Sequence, residues 1–499
     1  MHQWEGGCLL REWIFEGVQV REEHYGAWWT PDAPDARVPG SLRRTEGGWH
    51  LDLIGTLMVD AGGWDGLRLA PPHTVRGSCH GVLYTLMECY PDNDVQGPHQ
   101  DSADVAGDQW TMSWRVGQVV VGGEVAAATR FSVAQFEVTG LSAWWAASGL
   151  RGPQVRPGTY SAPDDVVINL DGETVITMGV RESRFRGRRA RTLRERVVVT
   201  VNSDPGLTLD DLEKEIAGPL RSLVAIGVDE PVEVFNLQVL PVGIPTTSTK
   251  PPRFFQVDPL PAGQEIEEPA PGLHAPLPLS PSFEEVPSFL PAWLKVARRC
   301  SVPLDAVEPR QRSGSAQLQL LDAVNAAETL HRALHDEPRE HPFADRVRSA
   351  LQESGGFNSS ERRDVHAAVK VFLGATLEKR LVTLAEELGP EVCEWLFQGD
   401  TGPWAFVTAR IRNVLSHGFV TTDEVHEDPG ALVGSLRLTE AVITLRLLVE
   451  AGLPTGAALT THLDRHWGLR SLAKQSIANW PALAHRINPQ QWPDPRRIE

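Results

Sequence analysis

Apolar and polar positions alternate in short segments through the first half of the chain. GWHLDLIGTLMV (48–59) and DVVINLDGETVITMGV (165–180) are two examples, separated from their neighbours by turn signals. Alternation with this period predicts strands of an antiparallel sheet that buries one face and exposes the other. One helix interrupts the strands at about 207–225, where a Thr/Asp cap precedes Leu and Ile at helical spacing. We therefore predict a β-rich domain, sandwich or barrel-like, over residues 1–245.

The pattern changes after a stretch that is dense in proline. Residues 246–285 are predicted to form an extended connector, because proline removes backbone donors and disfavours helix at the preceding residue. Beyond it, apolar residues recur at helical spacing, which predicts an antiparallel α-helical bundle over 286–499. Six helical segments are predicted, at 288–299, 316–337, 344–354, 359–389, 402–418 and 431–453. The predicted fold class is therefore α+β and multidomain, with the β-rich part first.

Composition narrows the class of protein further. A chain of 499 residues is expected to form two or three domains. The net charge of −18 and the pI near 5.4 favour a soluble cytoplasmic protein, and they argue against a broad nucleic-acid surface, which is usually basic. Five scattered cysteines without a C-x-x-C pair indicate reduced thiols. Because no signal peptide, membrane span, phosphate-binding loop or dinucleotide fingerprint is visible, we expect no membrane partner, no metal and no other cofactor.

The segment RNVLSH (412–417) carries the strongest candidate chemistry. It closes a predicted helix, and on an ideal helix Asn413, Ser416 and His417 fall on one face, opposite the apolar stripe. RNA cleavage without a metal needs a group with a pKa near 6.5 to move protons, and a fixed cation beside the phosphate. His417 can supply the first and the forked guanidinium of Arg412 the second.

The same helix end leaves alternatives open. Basic residues favour the last turn of a helix through its dipole, so Arg412 and His417 would also suit a solvated helix end. Arg410 lies within range of His417 and shares its face, although Arg412 is preferred because Asn413 follows it directly. Arg412 and His417 are about 140° apart on an ideal helix. Pairing two such helices across a two-fold axis would bring four polar groups into one cleft, and we hypothesise a dimeric site.

These residues resemble the HEPN superfamily, whose nucleases carry Arg-polar-x(2–4)-His at the end of a bundle helix. The segment LLDAVNAAETLHRAL (320–334) is similar to the first HEPN helix, with Glu328 on its polar face. The N-terminal half resembles the β domain of ApeA-like anti-phage defence proteins. GAWWTPDAPDARVPGSL (26–42) and VRGSCHGVLYTLMECY (75–90) are among the segments that carry this likeness.

The resemblance implies a homodimeric or higher oligomeric, metal-independent endoribonuclease of abortive-infection immunity. Host RNA, and tRNA in particular, is the implied substrate, and a phage product of unknown identity is the implied trigger. The implied catalytic residues and their supporting candidates are Arg412, Asn413 and His417, then Arg410, Ser416 and Glu328. The alternative function belongs to another class: the bundle only dimerises or binds, while the β domain recognises a small ligand or a protein.

An arginine-rich stretch at 181–196 stands out in an acidic chain. This stretch could track a phosphate backbone or sense a phage product, or it could form an exposed hairpin tip that its charge keeps soluble. The candidates for a nucleic-acid patch are Arg184, Arg186, Arg188, Arg189 and Arg191.

Two histidine pairs and two tryptophan pairs are predicted to have structural roles only. Two histidine pairs have the i, i+4 spacing of a zinc site but no HExxH pattern or nearby cysteine pair, so they are expected to be surface histidines: His331/His335 and His462/His466. Two tryptophan pairs are expected to pack in cores rather than to hold a ligand: Trp28/Trp29 and Trp144/Trp145.

Overall fold

The computed structural model divides the chain into two compact units, which we call the β unit and the helical unit. The residues described are 23–45, 47–55, 57, 73–91, 111–145, 160–186, 191–243, 253–259, 285–309, 314–335, 342–354, 356–365, 375–417, 424–464, 467–477 and 479–493. The β unit comprises Met1–Ser142, Ala147–Gly218 and Glu233–Glu268. The helical unit comprises Ala143–Ala146, Pro219–Val232 and Pro269–Glu499.

One antiparallel sheet organises the described part of the β unit. Its strands run in the order β3-β2-β1-β4-β5-β6-β12-β11-β7-β10-β9-β8. The strand bounds are β1 Glu23–Trp29, β2 Val38–Thr45, β3 Gly48–Ile54, β4 His73–Cys79, β5 Val82–Pro91, β6 Thr111–Val121, β7 Phe131–Val138, β8 Val166–Asn169, β9 Thr174–Arg186, β10 Arg191–Leu207, β11 Val234–Pro241 and β12 Phe255–Val257.

The first six strands close into a barrel. Strand β3 pairs with β6 as well as with β2, and Trp49 lies opposite Val116 in that pairing. Alternate residues of β3 point inward, so that Trp49, Leu51 and Leu53 are buried. They join a core that also holds Trp28 and residues from the other five strands of the barrel. The predicted β-rich, barrel-like N-terminal domain is confirmed.

The rest of the sheet extends from the barrel through β12. This strand lies between β6 and β11, with Gln256 opposite Val121 and Gln238. It falls within the proline-dense stretch predicted as a connector, so part of that stretch is a paired strand. Its extended backbone fits the prediction, but the hydrogen bonds to two neighbours were not foreseen.

The helix predicted at 207–225 begins at its predicted cap. The Thr208 hydroxyl accepts from the Asp211 amide at 3.0 Å, and the Asp211 carboxylate accepts from the Thr208 amide at 3.2 Å. A short α-helix follows, then a π-helical turn over Glu213–Ala217, then the helix Gly218–Val228. The cap prediction is confirmed.

Helices make up the described part of the helical unit from residue 285 onward. The α-helices among the described residues are α1 Leu141–Trp145, α2 Leu209–Leu212, α3 Gly218–Val228, α4 Val286–Arg299, α5 Ser301–Val307, α6 Ala316–Leu334, α7 Pro342–Glu353, α8 359–365, α9 Leu377–Glu386, α10 Pro390–Phe397, α11 Gly402–His417, α12 Pro429–Glu450, α13 Ala457–Leu463, α14 Trp467–Ile477 and α15 Trp480–Ile487. Helices α6, α9, α11 and α12 all pack against one another at its centre.

Two features of the helical unit were not predicted. The segment 359–389 is not one helix, because residues 375–376 are not helical and Thr376 caps α9, its hydroxyl accepting from the Lys379 amide. Helix α3 also belongs to this unit although it lies far upstream in sequence. Its Pro219 carbonyl accepts from the indole of Trp293 on α4 at 2.8 Å.

Candidate active site

One carboxylate brings three helices of the helical unit together. Glu328 on α6 accepts from Arg380 of α9 at 2.6 Å and lies 3.8 Å from a guanidinium nitrogen of Arg412 on α11. Arg332, one turn further along α6, also donates to Glu328, at 2.7 Å. We call these four residues the Glu328 cluster. Glu328, which was predicted on the polar face of its helix, therefore faces Arg412.

The partners of Glu328 differ in how far they are removed from water. The side chain of Arg380 is 6% exposed, that of Arg412 is 24% exposed and that of Arg332 is 58% exposed. Because charges attract more strongly away from water, Arg380 is the main anchor of the carboxylate and Arg332 contributes least. Arg412 therefore lies beside an anion whose position a buried cation fixes.

The last turn of α11 places the other predicted residues at the surface. Asn413, Ser416 and His417 are all exposed, as expected from their common helical face. Arg412 Nη1 donates to the amide oxygen of Asn413 at 3.3 Å. A half-buried guanidinium, held by Glu328 and Asn413, thus lies on the helix that ends with an exposed imidazole. Arg410, the other arginine within range of His417, is half-buried on the same helix.

Packing explains why α11 is oriented in this way. Trp404, Val407, Ile411 and Val414 form a buried stripe at helical spacing. This stripe faces inward, since α11 packs against α6, α9, α12 and α15. The apolar stripe therefore directs the opposite face, with His417 at its end, toward the surface.

The arginine-rich stretch forms part of a hairpin. Strands β9 and β10 pair along their length, with Arg186 opposite Arg191 and Arg184 opposite Leu193. Arg188 and Arg189 lie outside the described residues. The hairpin interpretation is confirmed for the strands, and binding of nucleic acid at this stretch stays a prediction.

One histidine of the two pairs is buried, and the four tryptophans of the other pairs are buried as well. His331 is only 6% exposed, so its prediction as a surface residue was wrong: it shares the face of the buried Val324 and Ala327 on α6. Its ring lies 4.4 Å from that of His335. The side chains of the pair His462/His466 lie outside the description. All four residues of the tryptophan pairs are buried, which confirms core packing.

In the part of the chain that the structure describes, no three His, Cys, Asp or Glu side chains converge as a metal site would require. No helix in the same residues has the length and apolarity needed to cross a membrane.

Arg380 was missed by reasoning from the sequence. It is a buried arginine next to Leu381 in an apolar helix stripe, and a charge in such a position needs a partner on a neighbouring helix. That pattern was visible in the sequence, but the identity of the partner was not.

Two family models match the chain. The model described as ApeA N-terminal domain 1 matches residues 23–277, and that described as Apea-like HEPN matches residues 321–457, which include the Glu328 cluster and α11. No curated protein and no solved structure matches it. A barrel-containing β-rich region followed by a HEPN bundle defines an anti-phage defence protein of the HEPN class. The chain belongs to the ApeA family, as the resemblance predicted.

Proposed function

We propose that the chain is a metal-independent endoribonuclease that defends against phage by abortive infection, cutting host RNA, with tRNA as the expected substrate. The observation that supports this best is the placement of Arg412, held by Glu328 and Asn413 on the helix whose end exposes His417. A fixed cation and a titratable imidazole are the two groups that cleavage through the 2′-hydroxyl requires.

The proposed reaction uses only these side chains. The imidazole of His417 takes the proton of a 2′-hydroxyl, the 2′-oxygen bonds to the adjacent phosphorus, and the bond from phosphorus to the 5′-oxygen breaks. The 5′-oxygen receives a proton from an imidazolium, which leaves a 2′,3′-cyclic phosphate and a 5′-hydroxyl. Arg412 stabilises the negative charge of the phosphorane, and Asn413 keeps the guanidinium directed.

The proposal includes a homodimer formed through the helical unit. Arg412 and His417 are five residues apart, which places them about 140° apart around an ideal helix. Two copies of α11 related by a two-fold axis would present two arginines and two histidines to one phosphate. One histidine would then act as base and the other as acid. The β unit is proposed to sense the phage product or to restrain cleavage.

The deciding experiment compares wild type with His417→Ala in cells, with and without phage challenge. We expect RNA fragments and protection with wild type, and neither with the variant. With purified protein in the presence of EDTA, the variant should cleave on the order of 10²–10⁴ times more slowly. The fragments should end in a 2′,3′-cyclic phosphate. Intact RNA with both proteins, together with protection by the variant, would refute the nuclease and favour the binding module.

A matched pair of variants separates the two arginine candidates. Arg412→Ala should abolish cleavage, while Arg410→Ala, two residues earlier on the same helix, should retain most of it. The reverse result would assign the phosphate-binding role to Arg410. Thermal unfolding of both proteins controls for loss of the fold.

A further inference from the structure

A cleft of about 360 Å³ lies between α7 and α8 in the helical unit. Six of the described residues line it: Arg348, Leu351 and Gln352 of α7, and Ser359, Arg362 and Arg363 of α8. Within each helix the three are spaced i, i+3, i+4, so each helix turns a single face toward the cleft. We call it the arginine cleft.

The charge of the arginine cleft is opposite to that of the chain. Among the six described lining residues three are arginines and none is acidic, whereas the whole chain carries 65 Asp and Glu against 47 Lys and Arg. The carboxylate of Glu361, next to the cleft in sequence, is engaged at the start of α8, where it accepts from the Asn358 amide at 2.8 Å. Guanidinium groups gathered around one space favour an anion there.

Two of the arginines are held by local hydrogen bonds. Arg362 Nε donates to the Phe357 carbonyl at 2.7 Å, and Arg363 Nη2 donates to the Ser360 hydroxyl at 3.4 Å. Asn358 caps α8 by accepting from the amides of Ser360 and Glu361, both at 2.9 Å. Side chains ordered in advance lose less entropy when a ligand binds.

We propose that the arginine cleft binds a backbone phosphate of single-stranded RNA. Guanidinium groups bind phosphate through paired hydrogen bonds, and Gln352 and Ser359 can donate to a sugar hydroxyl. The volume lies near the lower end of the range for small-ligand sites, about 300–1,000 Å³, which suits one nucleotide better than a folded partner. The inference rests on the proposed RNA substrate, but it does not require that the chain cleaves RNA.

The test measures RNA binding without cleavage. Fluorescence anisotropy with a labelled 2′-O-methyl RNA oligonucleotide uses the wild-type protein, because this RNA lacks the free 2′-hydroxyl that cleavage needs. Arg362→Gln/Arg363→Gln should weaken binding on the order of tenfold at low salt. The slope of log K against log salt should fall by about 0.7, since the cleft is proposed to hold one phosphate and each neutralised phosphate on a single strand contributes about 0.7.

Two further variants serve as controls. Arg298→Gln/Arg437→Gln removes the same charge from exposed positions elsewhere in the helical unit and should leave both affinity and slope unchanged. Arg362→Lys/Arg363→Lys keeps the charge and should keep most of the slope, which separates a loss of charge from a loss of fold.

The other outcomes overturn the inference. These are absence of RNA binding by wild type, unchanged binding by the glutamine variant, and an equal loss in the Arg298/Arg437 control. Loss of mononucleotide binding with intact RNA binding would assign the cleft to free nucleotides instead. RNA that binds through the arginine cleft but is never cut would refute the proposed nuclease and leave this inference intact.

Discussion

The Glu328 cluster makes Glu328→Gln the most informative single change for the architecture of the site. Glutamine has the same shape but no charge, so the packing of α6 is kept while three guanidinium groups lose their shared anion. Arg380 decides the size of the effect, because it is 6% exposed and lies 2.6 Å from the carboxylate. Arg332 is largely solvated and should contribute little.

The magnitude follows from the geometry. At 2.6 Å, the Glu328–Arg380 separation, and an effective dielectric constant near 20, two unit charges attract by about 6 kcal/mol before desolvation is counted. Measured losses on breaking a buried ion pair are about 3–5 kcal/mol. Because Glu328 is 22% exposed, the lower end applies, so we expect the variant to lose about 3 kcal/mol of unfolding free energy. For a unit of this size the melting temperature should fall by about 6–12 °C.

The assay is thermal unfolding of wild type and variant, followed by circular dichroism at the helical band. Asp322→Asn, which changes an exposed carboxylate on the same helix, is the matched control and should shift stability by no more than about 0.5 kcal/mol. Glu328→Gln/Arg380→Met should cost about as much as either single change, because removing both partners leaves no buried charge unpaired. A melting temperature of Glu328→Gln equal to that of wild type, or strict additivity in the double variant, would show that the cluster does not hold the helices together.

Three further predictions concern the β unit. Burial raises the pKa of Asp258 from 3.8 to about 6, so the stability present below pH 3.8 is lost as the pH rises through 6, by about 3 kcal/mol. In chemical denaturation the unfolding free energy of Asp258→Asn should therefore equal that of wild type near pH 4. At about pH 7.5 it should exceed the wild-type value by a similar amount, and a difference independent of pH would contradict this. Gly77→Ala places a Cβ against the ring of Trp28 and should cost about 1–3 kcal/mol in thermal unfolding, whereas Gly47→Ala, whose nearest neighbour would lie at 3.6 Å, should be nearly neutral. Burial raises the pKa of the Cys89 thiol to about 12, so iodoacetamide should modify Cys89 only after denaturation. Rapid labelling of Cys89 itself in the native protein would refute that burial.

Periodicity in the sequence predicted local structure well because burial on one face is a local property. The alternation in β3 and the stripe in α11 both follow from which side chains avoid water. Closure of the barrel could not be predicted in the same way. The pairing of Trp49 with Val116 joins residues far apart in sequence, and alternation does not say which strands are neighbours.

In the candidate site, too, local features could be predicted from the sequence and long-range contacts could not. The shared exposed face of Asn413 and His417 follows from helix geometry, and so does the burial of Ile411. The Glu328 cluster required the packing of α6, α9 and α11, which brings Glu328 to Arg380 from 52 positions away. A charge in an apolar stripe indicates that some partner exists, and only the fold identifies it.

Helix α3 shows that the two units do not correspond to two continuous stretches of sequence. Eight of its eleven residues are buried, too many for a helix that packs on one side only. In the helical unit, Arg221 and Ser222 of α3 donate to the carboxylate of Glu308 at 3.2 Å and 3.0 Å, and that residue is only 4% exposed. A fragment that begins at residue 286 keeps Glu308 but loses both of these hydrogen bonds, together with the bond from Trp293 to Pro219. The HEPN bundle of this chain is therefore structurally complete only with a helix that lies within the segment matched by the N-terminal family model.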